Sequence, residues 1–296
     1  DGEGATDRLP EGASVTWRLH ARQAEVWESP ARVKAVVAGR RAGKSELGAM
    51  WILGGARDDA LRGLRDAVSW VVVPVHLMAR PLWRKFVKLA PPGWVTAWHG
   101  TEAFPDFLEL DTARIEFKSA DDPRRLVATA VRRLWVDEPG IVKDQAWNES
   151  LQPTMIDYGA PALFSGTPKG KNFFYRLCVE GRDPLGGDAR TFGWSSYENP
   201  FIRREELHRL RRTMIRRLYQ QEILAEWLSD EGAVFRGVRA CAAAEPSRAP
   251  TVVFGVDLAE RQNFTVVAGL DARGHWTYFD RFHDVGWPTQ KARLQG

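Results

Sequence analysis

The 296-residue chain contains only two cysteines, Cys178 and Cys241, and no Cys-x-x-Cys pair. That excludes a disulfide framework or a structural zinc site as the basis of the fold and suits a reducing compartment. No apolar run approaches the roughly 20 residues needed to cross a bilayer, so no membrane partner is expected. The longest, VSWVVVPV at 68–75, has the length of a buried strand. The opening DGEGATDRLPEG has no basic or apolar segment of a secretion signal, and it lacks an initiator methionine. A fragment, cut at its start and at its end, is the expectation. Charge of one sign is also scarce: the formal net charge is only +4. Such an excess permits a nucleic-acid partner without arguing for one. The length suggests about two domains, each able to bury a core.

Residues 1–16 read as a polar flexible arm, and RLHARQAEVWES as a short helix ended by Pro30. VKAVVAG (33–39) is a buried-type strand running into a glycine loop, followed by the helix KSELGAMWILGGA. AVSWVVVP (67–74), RRLWVDE (132–138) and APALFSGTP (160–168) are further strands, with a helix from about Leu77 to Leu89. Strands alternating with helices predict an α/β fold with a largely parallel sheet. FLELDTARIEFKSA alternates like a hairpin, either an insertion or an antiparallel edge. A helix is expected from Arg203 to Leu228, with Leu207, Leu210, Met214, Leu218 and Leu224 as its apolar stripe. Its arginines are either a solvated face or a surface for phosphates or a neighbouring subunit. An Ala- and Pro-rich stretch then reads as a linker, and three closely spaced strands suggest a second domain.

The chemistry is concentrated in AGRRAGKS, Ala38 to Ser45, which fits [AG]-x-x-x-x-G-K-[ST] between a strand and a helix. Backbone N–H groups of residues 40–45, among them Arg40, Arg41 and Ala42, would face a concavity where a helix dipole favours phosphate. Gly39 and Gly43 permit close approach, Lys44 adds charge on the β- and γ-phosphates, and Ser45 offers a hydroxyl to Mg²⁺. Asp137 and Glu138, at a strand end in LWVDE, supply the metal-side acid and the base that orients or deprotonates water. Gln23, just ahead of the first strand, reads either as an adenine-binding amide or as an exposed helix residue.

These motifs, in order, resemble the large subunit of phage terminases, the ATPase-nucleases that package viral DNA. ARQAEVW resembles the family's adenine segment, and AGRRAGKS its phosphate loop with paired arginines. FKSADDPRRLVATAVRRLWVDEPG resembles the segment leading to the acid pair, and ALFSGTPKGKNFFYRL the coupling motif. The resemblance implies a RecA-like P-loop ATPase domain at 17–200 and a helical lid subdomain at 201–230. A linker at 231–250 and the start of an RNase H-like nuclease domain at 251–296 follow. It implies that Ser165, Gly166 and Thr167 relay the γ-phosphate state and that Arg40 or Arg41 senses nucleotide in cis. Arg125 is either an arginine finger acting on a neighbour or a surface arginine, because the glycine the family places after its arginine is missing here.

Asp257 would be the first carboxylate binding the nuclease metal, Mg²⁺ or Mn²⁺, with the other ligands beyond residue 296. Asp271 and Asp280 read as turn and strand-surface acids. The implied function is ATP-driven movement of double-stranded DNA into a procapsid, in the cytoplasm of a bacterial host. The implied partners are a portal protein, the small terminase subunit and further copies of the chain in a ring. A helicase, or an inactive prophage remnant, are the rivals.

Overall fold

The structure, a computed structural model, describes residues 17–101, 104–126, 130–183, 187–228, 245–259, 264–283 and 285–295. The expected arm, most of the expected linker and Cys241 lie outside the described residues. The chain divides into two compact units, Asp1–Gly232 and Ala233–Gly296.

In chain order the first unit contains α1 (Ala21–Glu28), β1 (Val33–Ala38), α2 (Lys44–Leu61), β2 (Ala67–Val73) and α3 (Ala79–Leu89). Then come β3 (Val95–Gly100), β4 (Pro105–Leu110), β5 (Ala113–Ser119), β6 (Arg133–Asp137), the single turn α4 (Gln152–Thr154) and β7 (Ala162–Gly166). It closes with α5 (Phe173–Glu180), β8 (Ala189–Trp194), α6 (Arg204–Thr213) and α7 (Arg216–Glu222). The eight strands form one sheet in the order β3-β4-β5-β2-β6-β7-β1-β8. From β5 to β8 all neighbours are parallel, whereas β3 and β4 add on antiparallel. The alternating stretch at 107–120 is therefore an antiparallel edge, and β3 lies outside it.

The parallel strands are apolar on both faces because both faces are covered. In β1, Val36 and Ala38 enter one core layer with α2 and α3, while Ala35 and Val37 enter the layer on the opposite face. In β6, Trp135 joins the first layer and Leu134 and Val136 the second. Helix α2 approaches the sheet at Gly48, where an added Cβ would collide with the indole ring of Trp135.

The helix expected over 203–228 is two helices. Met214 and Ile215 are extended, with ψ 148° and 128°, and residues 223–228 are not helical. Tertiary packing overrides the periodic pattern. The bend folds α7 back so that Tyr219 and Ile223 bury against Leu207, with Leu210, Met214 and Leu224 around them. Leu218, assigned to the apolar stripe, is instead exposed.

The second unit is an antiparallel meander, β9 (Val253–Asp257), β10 (Thr265–Leu270) and β11 (Trp276–Phe282), with β10 central, followed by α8 (Trp287–Gln295). Buried Gln290 of α8 donates to the carbonyls of Ala259 and Val285 and accepts from the Thr265 hydroxyl. No helix among the described residues is long and apolar enough to cross a membrane.

Gly48→Ala should lower stability by about 1–3 kcal/mol through overpacking, more than the ~1 kcal/mol that alanine returns in helix propensity. A urea unfolding curve measures it, and a stabilised variant would contradict the contact with Trp135.

Candidate nucleotide site

The C-terminal ends of the parallel strands converge on an open cleft of about 750 Å³ lined by residues 40–46 of the phosphate loop, Gln23, Lys85, Glu138, Asn199 and Phe201. Open α/β sheets bind ligands at this end of the strands. The loop turns sharply through two left-handed residues, Arg41 at φ 59° and Gly43 at φ 90°. A Cβ on Gly43 would lie 2.6 Å from Nε2 of Gln23, so glycine is required for space as well as for conformation.

Each carbonyl from Ala38 to Gly43 is held within the protein. Lys44 Nζ donates to Ala38 O at 3.0 Å and to Gly39 O at 2.9 Å. The Ser196 hydroxyl and the Asn199 amide each donate, at 2.6 Å, to Arg40 O and Arg41 O. Trp194 Nε1 donates to Ala42 O at 2.9 Å with His20 Nε2 beside it at 3.1 Å, and Gln23 Nε2 donates to Gly43 O at 2.9 Å. Two of the expected phosphate-facing N–H groups are diverted: Arg40 N donates to Glu222 O, and Ala42 N to Gly39 O. The first follows from α7 folding against the loop, the second from the tight turn. The N–H groups of Arg41, Gly43, Lys44 and Ser45 make no hydrogen bond among the described residues, leaving an anion-binding nest at the start of α2.

Gln23 is nearly fully buried rather than an exposed helix residue. Its Oε1 accepts from His20 N at the start of α1 and its Nε2 donates to Gly43 O, so half of the amide's hydrogen-bonding capacity is used and one bond of it holds the loop. Arg40 points to α7, where its Nε donates to the buried carboxylate of Glu222, which also lies 3.6 Å from Lys169. The side chain of Arg125 lies outside the described residues.

The strand order places β7 between β1 and β6, so its end sits between the phosphate loop and the acid pair. Each of the three predicted coupling residues touches that pair. Ser165 Oγ donates to Asp137 Oδ1 at 3.3 Å, and Thr167 donates to Glu138 Oε2 through N and Oγ1, both at 3.2 Å. At Gly166 a Cβ would lie 2.9 Å from Cδ of Pro139 and 3.3 Å from Cα of Glu138. Glu138 itself is left-handed at φ 49° ahead of a proline, a strained conformation for a residue with a side chain. Its Oε1 lies 3.8 Å from Lys44 Nζ.

Burial dominates the electrostatics. Desolvation, reinforced by Glu138, pushes Asp137 up to about 7, against the opposing pull of Lys44 and the Ser165 hydrogen bond. Desolvation likewise lowers Lys44, with Glu138 and Asp137 offsetting it. A phosphate beside Lys44 and a cation beside Asp137 would each favour the charged form. Ser45 and Asp137 are hard oxygen donors and fit Mg²⁺, an ion commonly held by one or two protein groups and completed by phosphate and water. Among the described residues no three His, Cys, Asp or Glu side chains gather as a metal cluster.

Trp194, Ser196 and Asn199 were not anticipated as site residues. Their one local signal is the pair Ser195 and Glu198, which form a capping box around the turn at 196–198. In the second unit, Asp257 is exposed at the end of β9. Asp271 accepts from the Ser247 hydroxyl and from the N–H groups of Arg273 and His275, bonds that hold it down at about 2. It closes the β10–β11 turn, and Asp280 lies 3.6 Å from Arg293.

No family model matches the chain. It is 23% identical to the terminase large subunit of Thermus virus P23-45, over 94% of this chain and 66% of that protein. With the terminase large subunit of Thermus phage G20c it shares 27% identity over 64% of this chain and 45% of that one. The chain is similar to phage terminase large subunits. It matches less than two thirds of the length of these relatives. The solved large-terminase ATPase domain of Thermus phage P74-26 aligns with a TM-score of 0.59 at 22% identity, over 72% of this chain and 96% of that one. The large terminase of another thermophilic bacteriophage, solved in complex with ADP, aligns at 0.59 and 16% identity over 94% of this chain and 73% of that one. These terminase likenesses show the fold of a RecA-like α/β unit.

The raised Asp137 gives a pH dependence. The folded state binds more protons than the unfolded chain between about pH 4 and 7, so stability falls as pH rises through that window. Asp137→Asn should flatten this fall and be more stable than the parent at pH 8, as read from thermal midpoints without nucleotide or metal. An unchanged slope would mean that Asp137 titrates normally.

Proposed function

We propose that this chain is the ATP-hydrolysing part of a viral DNA-packaging motor. The observation that carries the reading is the junction of the Ser165–Gly166–Thr167 segment with both acids, beside a phosphate loop whose carbonyls are each engaged by a protein donor. The nest at residues 41–45 binds the phosphates of ATP, and Lys44 swings from the loop carbonyls to the γ-phosphate. Ser45 and Asp137 would hold Mg²⁺, which when bound would supply positive charge against the phosphate oxygens. Glu138, once released by Thr167, orients a water and takes its proton as the water oxygen bonds to the γ-phosphorus and ADP departs. Gln23 offers its remaining N–H and lone pair to the adenine.

Arg40 and Lys169, sharing Glu222 on α7, connect the state of the site to the lid, whose movement would drive the DNA. The motor reading extends to double-stranded DNA as substrate and a homo-oligomeric ring on the portal of a procapsid. It also includes the small terminase subunit as partner, Arg125 acting on a neighbour, and the host cytoplasm as location. It assigns Asp257 to a metal-dependent nuclease site completed by carboxylates outside this chain.

Glu138→Gln should reduce ATP turnover by about 100-fold or more while keeping nucleotide affinity, whereas Lys44→Ala should lose both. Phosphate release and fluorescent-nucleotide titration measure the two. Normal turnover by Glu138→Gln would overturn the reading. For the nuclease, plasmid cutting with Mn²⁺ by the protein extended to its native stop codon should disappear in Asp257→Ala; no cutting by the extended parent would remove that half of the proposal.

A further inference from the structure

Trp135 lies on β6 two residues before Asp137, so both side chains project from the same face of the sheet. It is fully buried, and its indole meets three different parts of the site. On one side the backbone of α2 rests on it at Gly48, one turn after Lys44 and three residues after Ser45, closely enough that a methyl group would collide with the ring. Phe86 of α3 packs against it with ring centroids 6.1 Å apart. At its polar edge, Nε1 donates to Ser165 Oγ at 3.0 Å, and that hydroxyl lies 3.3 Å from Asp137 Oδ1.

A serine hydroxyl has one proton and two lone pairs. With the indole N–H occupying a lone pair of this fully buried oxygen, the proton is directed to the Asp137 carboxylate. One oxygen of Asp137 is thereby fixed. The ring's bulk meanwhile fixes the height of the first turn of α2 above the sheet, and so the distance from Ser45 to Asp137.

We propose that Trp135 is a positioning residue for the metal side of the nucleotide site, setting Asp137 through the Ser165 hydroxyl and Ser45 through Gly48. This rests on the reading of Ser45 and Asp137 as the Mg²⁺ donors. Trp135 touches neither nucleotide nor metal. It makes the two donors, which come from different elements, a pair of fixed spacing.

The test compares affinity for a fluorescent ADP with Mg²⁺ and with EDTA, in the parent, Trp135→Phe, Ser165→Ala and the double variant. Trp135→Phe keeps most of the packing and removes the N–H. Each single variant should lower the ratio of the two affinities about three- to tenfold, and Trp135→Phe should leave affinity in EDTA unchanged. The double variant should lose no more than the greater single loss, because both changes cut one chain of hydrogen bonds. The Mg²⁺ concentration giving half-maximal ATP hydrolysis should rise in parallel. If Trp135→Phe does not fold, benzothienylalanine at position 135, which replaces only the N–H by sulfur, carries the same expectation. An unchanged ratio in a folded variant, or losses that multiply in the double variant, overturns the proposal while leaving the ATPase reading intact. A parent whose ADP affinity ignores Mg²⁺ overturns both.

Discussion

The fastening of the phosphate-loop carbonyls is the constraint on which the rest of the site depends. A loop of this length has as many acceptors as donors, and a phosphate is attracted only if the acceptors face elsewhere. Here six successive carbonyls are engaged by Lys44, Ser196, Asn199, Trp194, His20 and Gln23. These side chains come from the approach to α1, from α1 and α2, and from the end of β8 and the segment after it. The nest is thus organised before nucleotide arrives, which spares the reorganisation that a floppy loop would undergo on binding. It also makes the segment after β8, whose Asn199 and Phe201 line the cleft, part of the candidate site.

The acid side follows the opposite logic. Asp137 is buried where its charged form is disfavoured, and Glu138 occupies a backbone conformation that a side chain disfavours. Neither feature helps the empty protein fold. Both are tolerated because β6 is anchored on each side by parallel strands and because Ser165 and Thr167 satisfy the carboxylates at hand. Functional sites commonly carry local strain supported by the surrounding structure, and here the support comes from the one strand that separates the lysine from the acids.

Much of this was legible in the sequence because it is local. A strand, a glycine loop and a helix starting at Lys44 follow from residue types in a short window, as do the acids at the end of an apolar strand. The hairpin at 107–120 was visible from its alternation. What could not be read depends on distant contacts. Trp194, Ser196 and Asn199 stand about 150 residues from the carbonyls they hold, and nothing in WSSYENP indicates a partner. The break at Met214 and Ile215 likewise has no proline or glycine to announce it; it exists because Tyr219 and Ile223 gain burial against Leu207. The role of Gln23 was half visible: its polar amide was noticed, but its attachment to Gly43 O depends on how α1 lies over the loop.

The division of residues 204–222 into α6 and α7 has a consequence for how this segment holds its shape. Helices of ten and seven residues are too short to persist by themselves in water. Their order is borrowed from what they lean on, namely the small cluster around Tyr219 and the anchorage of Glu222 and Gln221 at Arg40, Lys169 and Pro168. The pair is less a rigid lever than a tenant of the larger unit. Its helicity and its attachment to the phosphate loop are one property, and they are kept or surrendered together.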